Sequence, residues 1–200
     1  MNRCYEVMAE YREESHTVIS VSLFEPSDCR NIVERVRQLD DWEAAQVRET
    51  KSDGRSESFT QPQVRSTRIL VSAGANDLYA RFEAAITAIV KPLIKKVWKV
   101  DLAENSGTQI LRYGPADHYV PHQDSGPGFE FRYLSVVCYL NDDFVGGETS
   151  FPGIEYTAKP ETGKAIVFPS HYLHGSVPVV RGEKFVFVSW LRGPVPIKWI

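Results

Sequence analysis

TQILRY (residues 108–113) is the first of seven short β-rich runs that follow Val100, each separated from the next by glycine, proline or Asn-Asp turns. Runs of this length and composition, bounded by turn residues, are typical of strands. The later runs are HYVPHQD (118–124), RYLSVVCYL (132–140), GETSF (147–151), GKAIVF (163–168), HGSVPVV (174–180) and KFVFVSWL (184–191). This spacing of strands predicts a sandwich, a jelly roll or a small barrel.

The first half of the chain contains two amphipathic helical patterns. Residues 27–39 place apolar side chains at helical spacing, with Ser27 as the expected N-cap. A longer pattern runs from Asn76 to Trp98, and Pro92 inside it predicts a kink. Apolar stripes of this kind usually cover a sheet, so we expect helices packed outside the β core.

The composition is that of a soluble globular domain. The 200 residues include 42% hydrophobic and 24% charged side chains, which excludes a disordered tail and suffices for a buried core. We expect residues 1–200 to form a single domain. Residues 1–100 would supply helices, strands and a mobile loop, and residues 101–193 the core motifs. The net charge of −3 argues against general attraction to nucleic acid or anionic lipid.

Cysteine usage and the N-terminal residues bear on location. Cys4, Cys29 and Cys138 are widely spaced and contain no C-x-x-C pair, which argues against a disulfide framework or a thiolate zinc site. Residues 1–18 interleave charged and apolar residues and lack the apolar core of a signal peptide, and no apolar run elsewhere is long enough to span a bilayer. We expect a soluble, unexported, cytoplasmic protein.

A polar segment, residues 48–66, lies between the helical patterns and contains Gly54 and Pro62. It predicts an exposed mobile loop, which is either a surface insertion or a flap that covers substrate. Its cations could meet a carboxylate or an acidic peptide, or face solvent only; they are Arg48, Lys51, Arg55 and Arg65.

Two histidines and an aspartate form the candidate metal site. Residues two apart on a strand point to the same face, so His122 and Asp124 can present an imidazole and a carboxylate to one ion. This triplet alone also fits an ordinary strand end at the surface. His174, at the start of a later β-rich run, can supply a second imidazole. Two imidazoles and one carboxylate on one face of non-haem Fe(II) leave positions open for other ligands.

Lys184 opens the last β-rich run and shares a face with the apolar residues Val186, Val188 and Trp190. A lysine on an inward face is costly unless an anion meets it, so this position predicts an anion site. The alternative is a strand-end lysine that reaches solvent.

Three stretches in order carry a family resemblance: RYGPADHYVPHQD (112–124), LSVVCYLNDDFVGGETSFP (134–152) and HGSVPVVRGEKFVFVSWL (174–191). Together they resemble the core motifs of the prolyl 4-hydroxylase-like group of Fe(II)- and 2-oxoglutarate-dependent dioxygenases. The resemblance covers about residues 109–193. It implies a mainly β fold with flanking helices around a double-stranded β-helix, the jelly-roll core of cupin-like proteins.

The resemblance also implies site residues. Fe(II) and the catalytic chemistry would depend on His122, Asp124 and His174. The distal carboxylate of 2-oxoglutarate would be bound by Lys184, with hydroxyl donors from Tyr113 and Thr149. A strand tyrosine or threonine is more often simply packed, which is the alternative for the last two.

Other matched positions imply structural roles. Gly146 and Gly147 match a turn into the next strand, and Trp190 matches a recurrent position that we expect to be core wall. His118 and His171 do not fit the matched spacing, so we expect them at the surface or in a pocket lining.

The implied activity is hydroxylation of an unactivated C–H bond in a prolyl or other amino-acid-type substrate, free or in a peptide. Fe(II), 2-oxoglutarate and dioxygen are the implied cofactor and cosubstrates, with room for ascorbate, and succinate and CO2 are released. Related halogenases replace the metal-binding carboxylate with a small residue, so Asp124 favours hydroxylation over chlorination; desaturation and ring closure stay open. Arg68 and Arg132 are candidate contacts for a substrate carboxylate.

Two other functions compete with this one. A jelly-roll protein could keep the metal and act in binding or sensing without catalysis, although all four positions of the metal and anion sites are filled. A dioxygenase could also act on nucleic acid, but the negative net charge and the lack of a basic, aromatic-interleaved patch argue against it.

Overall fold

The computed structural model describes residues 10–50 and 55–193, which form two main antiparallel sheets. The larger sheet contains, in spatial order, β1 (Tyr11–Ser15), β2 (Val18–Ser22), β13 (Lys164–Pro169), β9 (Arg132–Tyr139), β16 (Lys184–Arg192), β7 (Asn105–Tyr113), β6 (Arg68–Leu70) and β3 (Trp42–Ala44). The smaller sheet contains β12 (Tyr156–Ala158), β11 (Thr149–Phe151), β14 (His174–Ser176) and β8 (Tyr119–His122). This arrangement confirms the predicted mainly β jelly roll with flanking helices.

Two further strand pairs extend the architecture. β10 (Val145–Gly146) pairs with β15 (Val179–Arg181), next to the turn that leads into β11. β4 (Val47–Thr50) pairs with β5 (Ser56–Phe59) as an antiparallel hairpin. The segment predicted as an exposed mobile loop, residues 48–66, therefore contains most of a two-stranded hairpin that the sequence analysis did not predict, and its mobility stays a prediction. Lys51 lies outside the described residues.

Helices cover one face of the larger sheet. α1 spans Pro26–Arg37, α2 spans Asn76–Ala85 and α3 spans Lys91–Trp98. The predicted N-cap, Ser27, was wrong, because α1 begins two residues earlier than that cap implies, with Glu25 at the cap and no side-chain cap bond. Proline suits the first helical position, since it has no N–H to leave unpaired there and its φ is already helical.

A π-helical segment, Ile86–Val90, lies between α2 and α3 just before Pro92, and the kink predicted from this proline stays a prediction. Proline has no N–H, so the carbonyl of Ala88, four residues earlier, cannot receive its usual helical hydrogen bond. The N–H of Lys91 instead donates to the carbonyl of Ile86, which is the wider spacing of a π-helix.

Strand alternation separates two buried clusters. On β16, Phe185, Phe187 and Leu191 join the cluster under the helices, where Phe187 stacks on Phe82 with ring centroids 4.6 Å apart. Val186, Val188 and Trp190 join the cluster between the sheets. Each buried aromatic or aliphatic side chain contributes about 1.5–3 kcal/mol, so β16 stabilises both layers.

Residues before and after position 100 share the larger sheet. β2 pairs with β13, with Ile19 opposite Val167, and β6 pairs with β7, with Ile69 opposite Leu111. Strands from the first half of the chain therefore support the strands that carry the candidate site. No helix among the described residues is long and apolar enough to cross a membrane.

Candidate metal centre

His122 and His174 face one another across the smaller sheet. They are directly paired in the register of β8 and β14, and their ring centroids are 4.4 Å apart. Asp124 follows β8 and places Oδ1 3.5 Å from Nε2 of His122 and Oδ2 3.3 Å from Nε2 of His174. One ligand atom from each residue therefore lies within 4.8 Å of the others, so the predicted triad is brought together.

Backbone carbonyls orient both imidazoles. Nδ1 of His122 is 2.9 Å from the carbonyl oxygen of Val120, and Nδ1 of His174 is 2.9 Å from that of Tyr172. A carbonyl can only accept, so Nδ1 carries a proton in each ring, and in the neutral form of each imidazole Nε2 has the lone pair. This is the tautomer that a histidine ligand requires.

Burial and mutual charge set the ionisation of the triad. Burial and the neighbouring His174 lower the pKa of His122. Burial would also lower the pKa of His174, but the charge and hydrogen bond of Asp124 outweigh it and raise that pKa. Burial alone would raise the pKa of Asp124, whereas His174 and the hydrogen bonds of both imidazoles hold it well below its usual range. The site keeps a carboxylate anion beside imidazole nitrogens, which suits a divalent cation.

The triad opens into a cavity of about 540 Å³, whose lining also includes Tyr113, Thr149 and Lys184. This is the size of an ordinary small-molecule site, for which about 300–1,000 Å³ is typical. The predicted metal ligands, the predicted carboxylate anchor and the predicted hydroxyl donors, which are far apart in the sequence, therefore share one chamber.

Lys184 is a buried cation with neutral partners. Its side chain is only 1% exposed, and Nζ donates to the carbonyl of Gly147 at 2.7 Å and to Oγ of Ser176 at 2.9 Å. No described carboxylate forms an ion pair with it, and burial lowers its pKa to about 7 with only partial opposition from Glu148. A buried ammonium at a cavity wall, with donor capacity left over, fits a ligand carboxylate.

The two predicted hydroxyl donors line the same cavity as this ammonium. The ring centroid of Tyr113 is 4.5 Å from Nζ of Lys184, and burial raises the pKa of Tyr113 to about 12, so the phenol keeps its proton. Oγ1 of Thr149 is 2.7 Å from the hydroxyl of Tyr139. The chamber thus offers a cation, hydroxyl groups and the triad, which together form a donor set that fits Fe(II) and a 2-oxo diacid.

Stacked arginines line the cavity on the substrate side. The Arg132 guanidinium lies 4.0 Å from the ring centroid of Phe129 and 3.8 Å from that of Trp190, and its buried Nε has no hydrogen-bond partner among the described residues. Arg65 lies 4.8 Å from the ring centroid of Tyr119. Both arginines belong to the cavity lining, whereas the other predicted contact, Arg68, is exposed on β6 and does not.

The other predicted residues occupy the following places. Arg48 lines the cavity and stacks on Phe129 at 4.8 Å, and Arg55 is not part of the lining. His118 lies near the carbonyl oxygens of Ala116 and Gln63, at 3.2 Å from each, and neither it nor His171 lines the cavity.

The turn glycines and Trp190 have structural roles next to the cavity. Gly146 and Gly147 have φ of +75° and +73°, so the turn needs residues without a Cβ. A Cβ on Gly146 would also lie 2.3 Å from the carbonyl oxygen of Pro178. Trp190 is buried, as predicted, and forms part of the cavity wall beside Arg132.

Sequence reasoning missed several residues that contact the site. Ser135 donates to Asp124, Ser176 accepts from Lys184, and Tyr119 stacks on His122 with centroids 3.5 Å apart. Only Tyr119 had a local signal, because it lies three residues before His122 on the same short strand. The serines carry no signal in the sequence, since their role depends on distant partners.

Comparison with known proteins gives a consistent result. Residues 108–192 match the 2OG-Fe(II) oxygenase superfamily. The chain is 32% identical over 128 residues to a candidate prolyl 4-hydroxylase of Acanthamoeba polyphaga mimivirus, covering 52% of this chain and 53% of that protein. It is 32% identical over 114 residues to prolyl 4-hydroxylase 1 of Arabidopsis thaliana, covering 42% of this chain and 40% of that protein. The chain thus spans about half the length of the curated relatives it matches.

Solved structures agree on the fold. The crystal structure of a Pseudomonas putida prolyl-4-hydroxylase aligns with a TM-score of 0.63 at 21% identity, covering 88% of this chain and 92% of that chain. A prolyl hydroxylase from Trichoplax adhaerens, in complex with a hypoxia inducible factor peptide fragment, aligns with a TM-score of 0.69 at 13% identity over 88% of this chain and 83% of that one. The triad and the buried lysine thus share one cavity, and over residues 108–192 the chain is similar to the 2OG-Fe(II) oxygenase superfamily, with prolyl 4-hydroxylases among the proteins it matches.

Proposed function

We propose that this protein is an Fe(II)- and 2-oxoglutarate-dependent dioxygenase that hydroxylates an unactivated C–H bond of a prolyl or other amino-acid-type substrate, with release of succinate and CO2. One observation carries the proposal. The His122, Asp124 and His174 ligand atoms lie within 4.8 Å of one another in the same cavity as the buried ammonium of Lys184, which forms no ion pair with a carboxylate of the described residues. A metal site alone would have no need for a second, buried cation.

Each residue has a role in this mechanism. His122, Asp124 and His174 would hold Fe(II), which when bound supplies the oxidising chemistry with dioxygen and 2-oxoglutarate. Lys184 would bind the distal carboxylate of 2-oxoglutarate, assisted by the hydroxyls of Tyr113 and Thr149. The apolar cavity wall of Val137, Val186 and Val188 would limit access of water to the reacting groups. The chain itself therefore binds, orients and shields, and contributes no nucleophile.

The stacked arginines support an amino-acid-type substrate. Arg132 has both guanidinium faces covered by aromatic rings, and burial lowers its pKa to about 10, so it stays charged at neutral pH. One of its donors, Nη1, lies 3.4 Å from the backbone carbonyl oxygen of Asp124, and its remaining donors fit an oxygen-rich partner, either the carboxylate of a free amino acid or a carbonyl of a peptide. The Trichoplax adhaerens relative, which was solved with a peptide, favours the peptidyl form.

An anaerobic titration tests the cofactor assignment. Fe(II) and then 2-oxoglutarate are added to metal-free protein, and the visible charge-transfer absorption of a chelated 2-oxo acid is recorded. We expect the band in the wild type and in Ser189→Ala, which changes a buried serine away from the site, and not in His174→Ala. Iron binding without the band would remove the cosubstrate and favour the non-catalytic metal-binding or sensing protein.

A substrate screen follows once the band is seen. Succinate formation is measured with free L-proline, its amide and short proline-containing peptides. If Arg132 binds a carboxylate, Arg132→Gln should raise KM for the free amino acid far more than for the amide, and equal effects on both would indicate a carbonyl contact instead. The cytoplasmic location stays a prediction from the cysteine pattern and the N-terminal residues.

A further inference from the structure

Two buried serines adjoin the carboxylate of the triad on the side away from the cavity. Ser135 and Ser170 are both 0% exposed, and neither belongs to the cavity lining. Oγ of Ser135 donates to Oδ2 of Asp124 at 2.7 Å, and Oγ of Ser170 lies 2.9 Å from Oγ of Ser135. The three side chains therefore form a short chain of hydrogen bonds that ends at Asp124.

The direction of this chain follows from proton counting. Ser135 has one hydroxyl proton, and the carboxylate of Asp124 can only accept, so that proton lies between Ser135 and Oδ2. Ser135 must then accept from Ser170, which makes Ser170 the donor of the second bond. Polarisation along such a chain strengthens the bond that reaches the carboxylate.

The backbone holds the same pair in place. Ser135 lies on β9 opposite Phe168 of β13, and Ser170 directly follows β13. The carbonyl of Ser170 accepts from the backbone N–H groups of Asp124 at 2.9 Å and Ser125 at 3.1 Å. The backbone N–H of Asp124 is thus bonded to Ser170 at the end of β13, and its carboxylate is bonded to Ser135 on the neighbouring strand β9.

We propose that Ser135 and Ser170 are positioning residues that hold Oδ2 of Asp124, so that the carboxylate offers Oδ1 to the metal in a fixed orientation. Without the Ser135 bond the carboxylate could rotate about its Cβ–Cγ bond or turn towards His174, whose Nε2 is 3.3 Å from Oδ2. This inference rests on the proposed function, because it takes Asp124 as a metal ligand. Hydrogen-bonded partners of metal ligands change metal affinity about 10–100-fold when removed.

The test measures metal affinity directly and needs no turnover. Co(II) is titrated into metal-free protein in competition with a chromophoric chelator, and the visible absorption of bound Co(II) reports the ligand geometry. Ser135→Ala should raise the Kd for Co(II) about 10–100-fold and alter the spectrum. Ser170→Ala should have a smaller effect in the same direction, because Ser135 still reaches Asp124. Ser135→Thr, which keeps the hydroxyl, should recover affinity.

The matched control is Ser189→Ala. Ser189 is equally buried on the neighbouring strand β16, but its hydroxyl bonds to the carbonyl of Gly107 and not to the triad. Ser189→Ala should be less stable than the wild type but should bind Co(II) with the same affinity. This result would show that an affinity loss in Ser135→Ala comes from the lost bond to Asp124 and not from a general packing defect. If Ser135→Ala does not fold, Ser170→Ala carries the test alone.

Two results would overturn the inference, and they differ in what else they overturn. Wild-type Co(II) affinity and spectrum in folded Ser135→Ala or Ser170→Ala would refute the positioning role and leave the proposed function intact. Absence of Co(II) binding by the wild-type protein itself would refute the metal site, and with it both proposals.

Discussion

Replacing Lys184 by methionine should stabilise the ligand-free protein near neutral pH while weakening its affinity for 2-oxoglutarate. Burial lowers the pKa of Lys184 from 10.5 to about 7. The difference of about 3.5 pH units corresponds to ~5 kcal/mol against the charged form in the fold, at about 1.4 kcal/mol per unit. At pH 7, where about half of the folded molecules carry the neutral amine, ~4 kcal/mol of this cost remains.

Methionine removes the charge and keeps most of the side-chain length, but it also leaves two acceptors without their donor. These are the carbonyl of Gly147 and the hydroxyl of Ser176, and each lost bond costs about 1 kcal/mol. We therefore expect Lys184→Met to be ~2 kcal/mol more stable than the wild type at pH 7, in urea unfolding with a chelator present.

The pH dependence has a definite sign. Between the folded pKa near 7 and the unfolded value near 10.5, the unfolded chain binds more protons at this residue, so wild-type stability gains from this group as pH rises. The advantage of Lys184→Met should shrink by about 1.4 kcal/mol per pH unit above pH 8. A lower stability of the variant at pH 7, or a difference that does not change with pH, would refute the reasoning about this buried cation.

Lys184→Met should also bind 2-oxoglutarate more weakly than the wild type. Isothermal titration of metal-loaded protein should show 2-oxoglutarate binding weakened by about 1.5–3 kcal/mol in Lys184→Met, the range for a lost charged hydrogen bond, with metal affinity preserved. Unchanged binding would place the carboxylate anchor elsewhere.

Substitutions at a metal ligand, at the glycine turn and in the cluster under the helices should each have a different measurable effect. Asp124→Ala should abolish turnover and weaken metal binding because the ligand set becomes incomplete; succinate formation and Co(II) titration check this, and normal activity would remove the metal assignment. Gly147→Ala should cost about 1–2 kcal/mol, since φ is +73°, and should also weaken 2-oxoglutarate binding, because the new Cβ would lie 3.3 Å from Cδ of Lys184; calorimetry on the folded variant measures both. Phe187→Ala should cost about 3–5 kcal/mol in urea unfolding through loss of its stacking on Phe82, and a cost below about 1 kcal/mol would contradict the packing described for the helix layer.

Local patterns predicted much of the fold. The alternation along KFVFVSWL places Lys184, Val186 and Trp190 on one face and Phe185 and Phe187 on the other, and the two buried clusters confirm that division. Period-two alternation is visible within a few residues, so it needs no knowledge of partners. The helical stripes were visible for the same reason.

Features that depend on distant partners could not be predicted in this way. The hairpin of Val47–Thr50 and Ser56–Phe59 is polar on both strands, so its pairing leaves no alternation to detect. The H-x-D triplet was ambiguous until His174 and the ordered family motifs were added. Ser135 and Ser170 had no signal at all, because a serine becomes a partner of Asp124 only after β9 and β13 have paired.

The two-sided nature of β16 has a consequence for protein engineering. Its cavity face carries Lys184 and Trp190, while its opposite face anchors the helices through Phe185 and Phe187. Repacking the helix layer would therefore shift the chamber wall, so stabilising mutations chosen on one side should be screened for cosubstrate affinity on the other. Among the described residues, the hairpin that contains Arg48 forms a two-stranded sheet separate from the two main sheets. Libraries aimed at new substrates would do best to vary the hairpin and to leave β16 untouched.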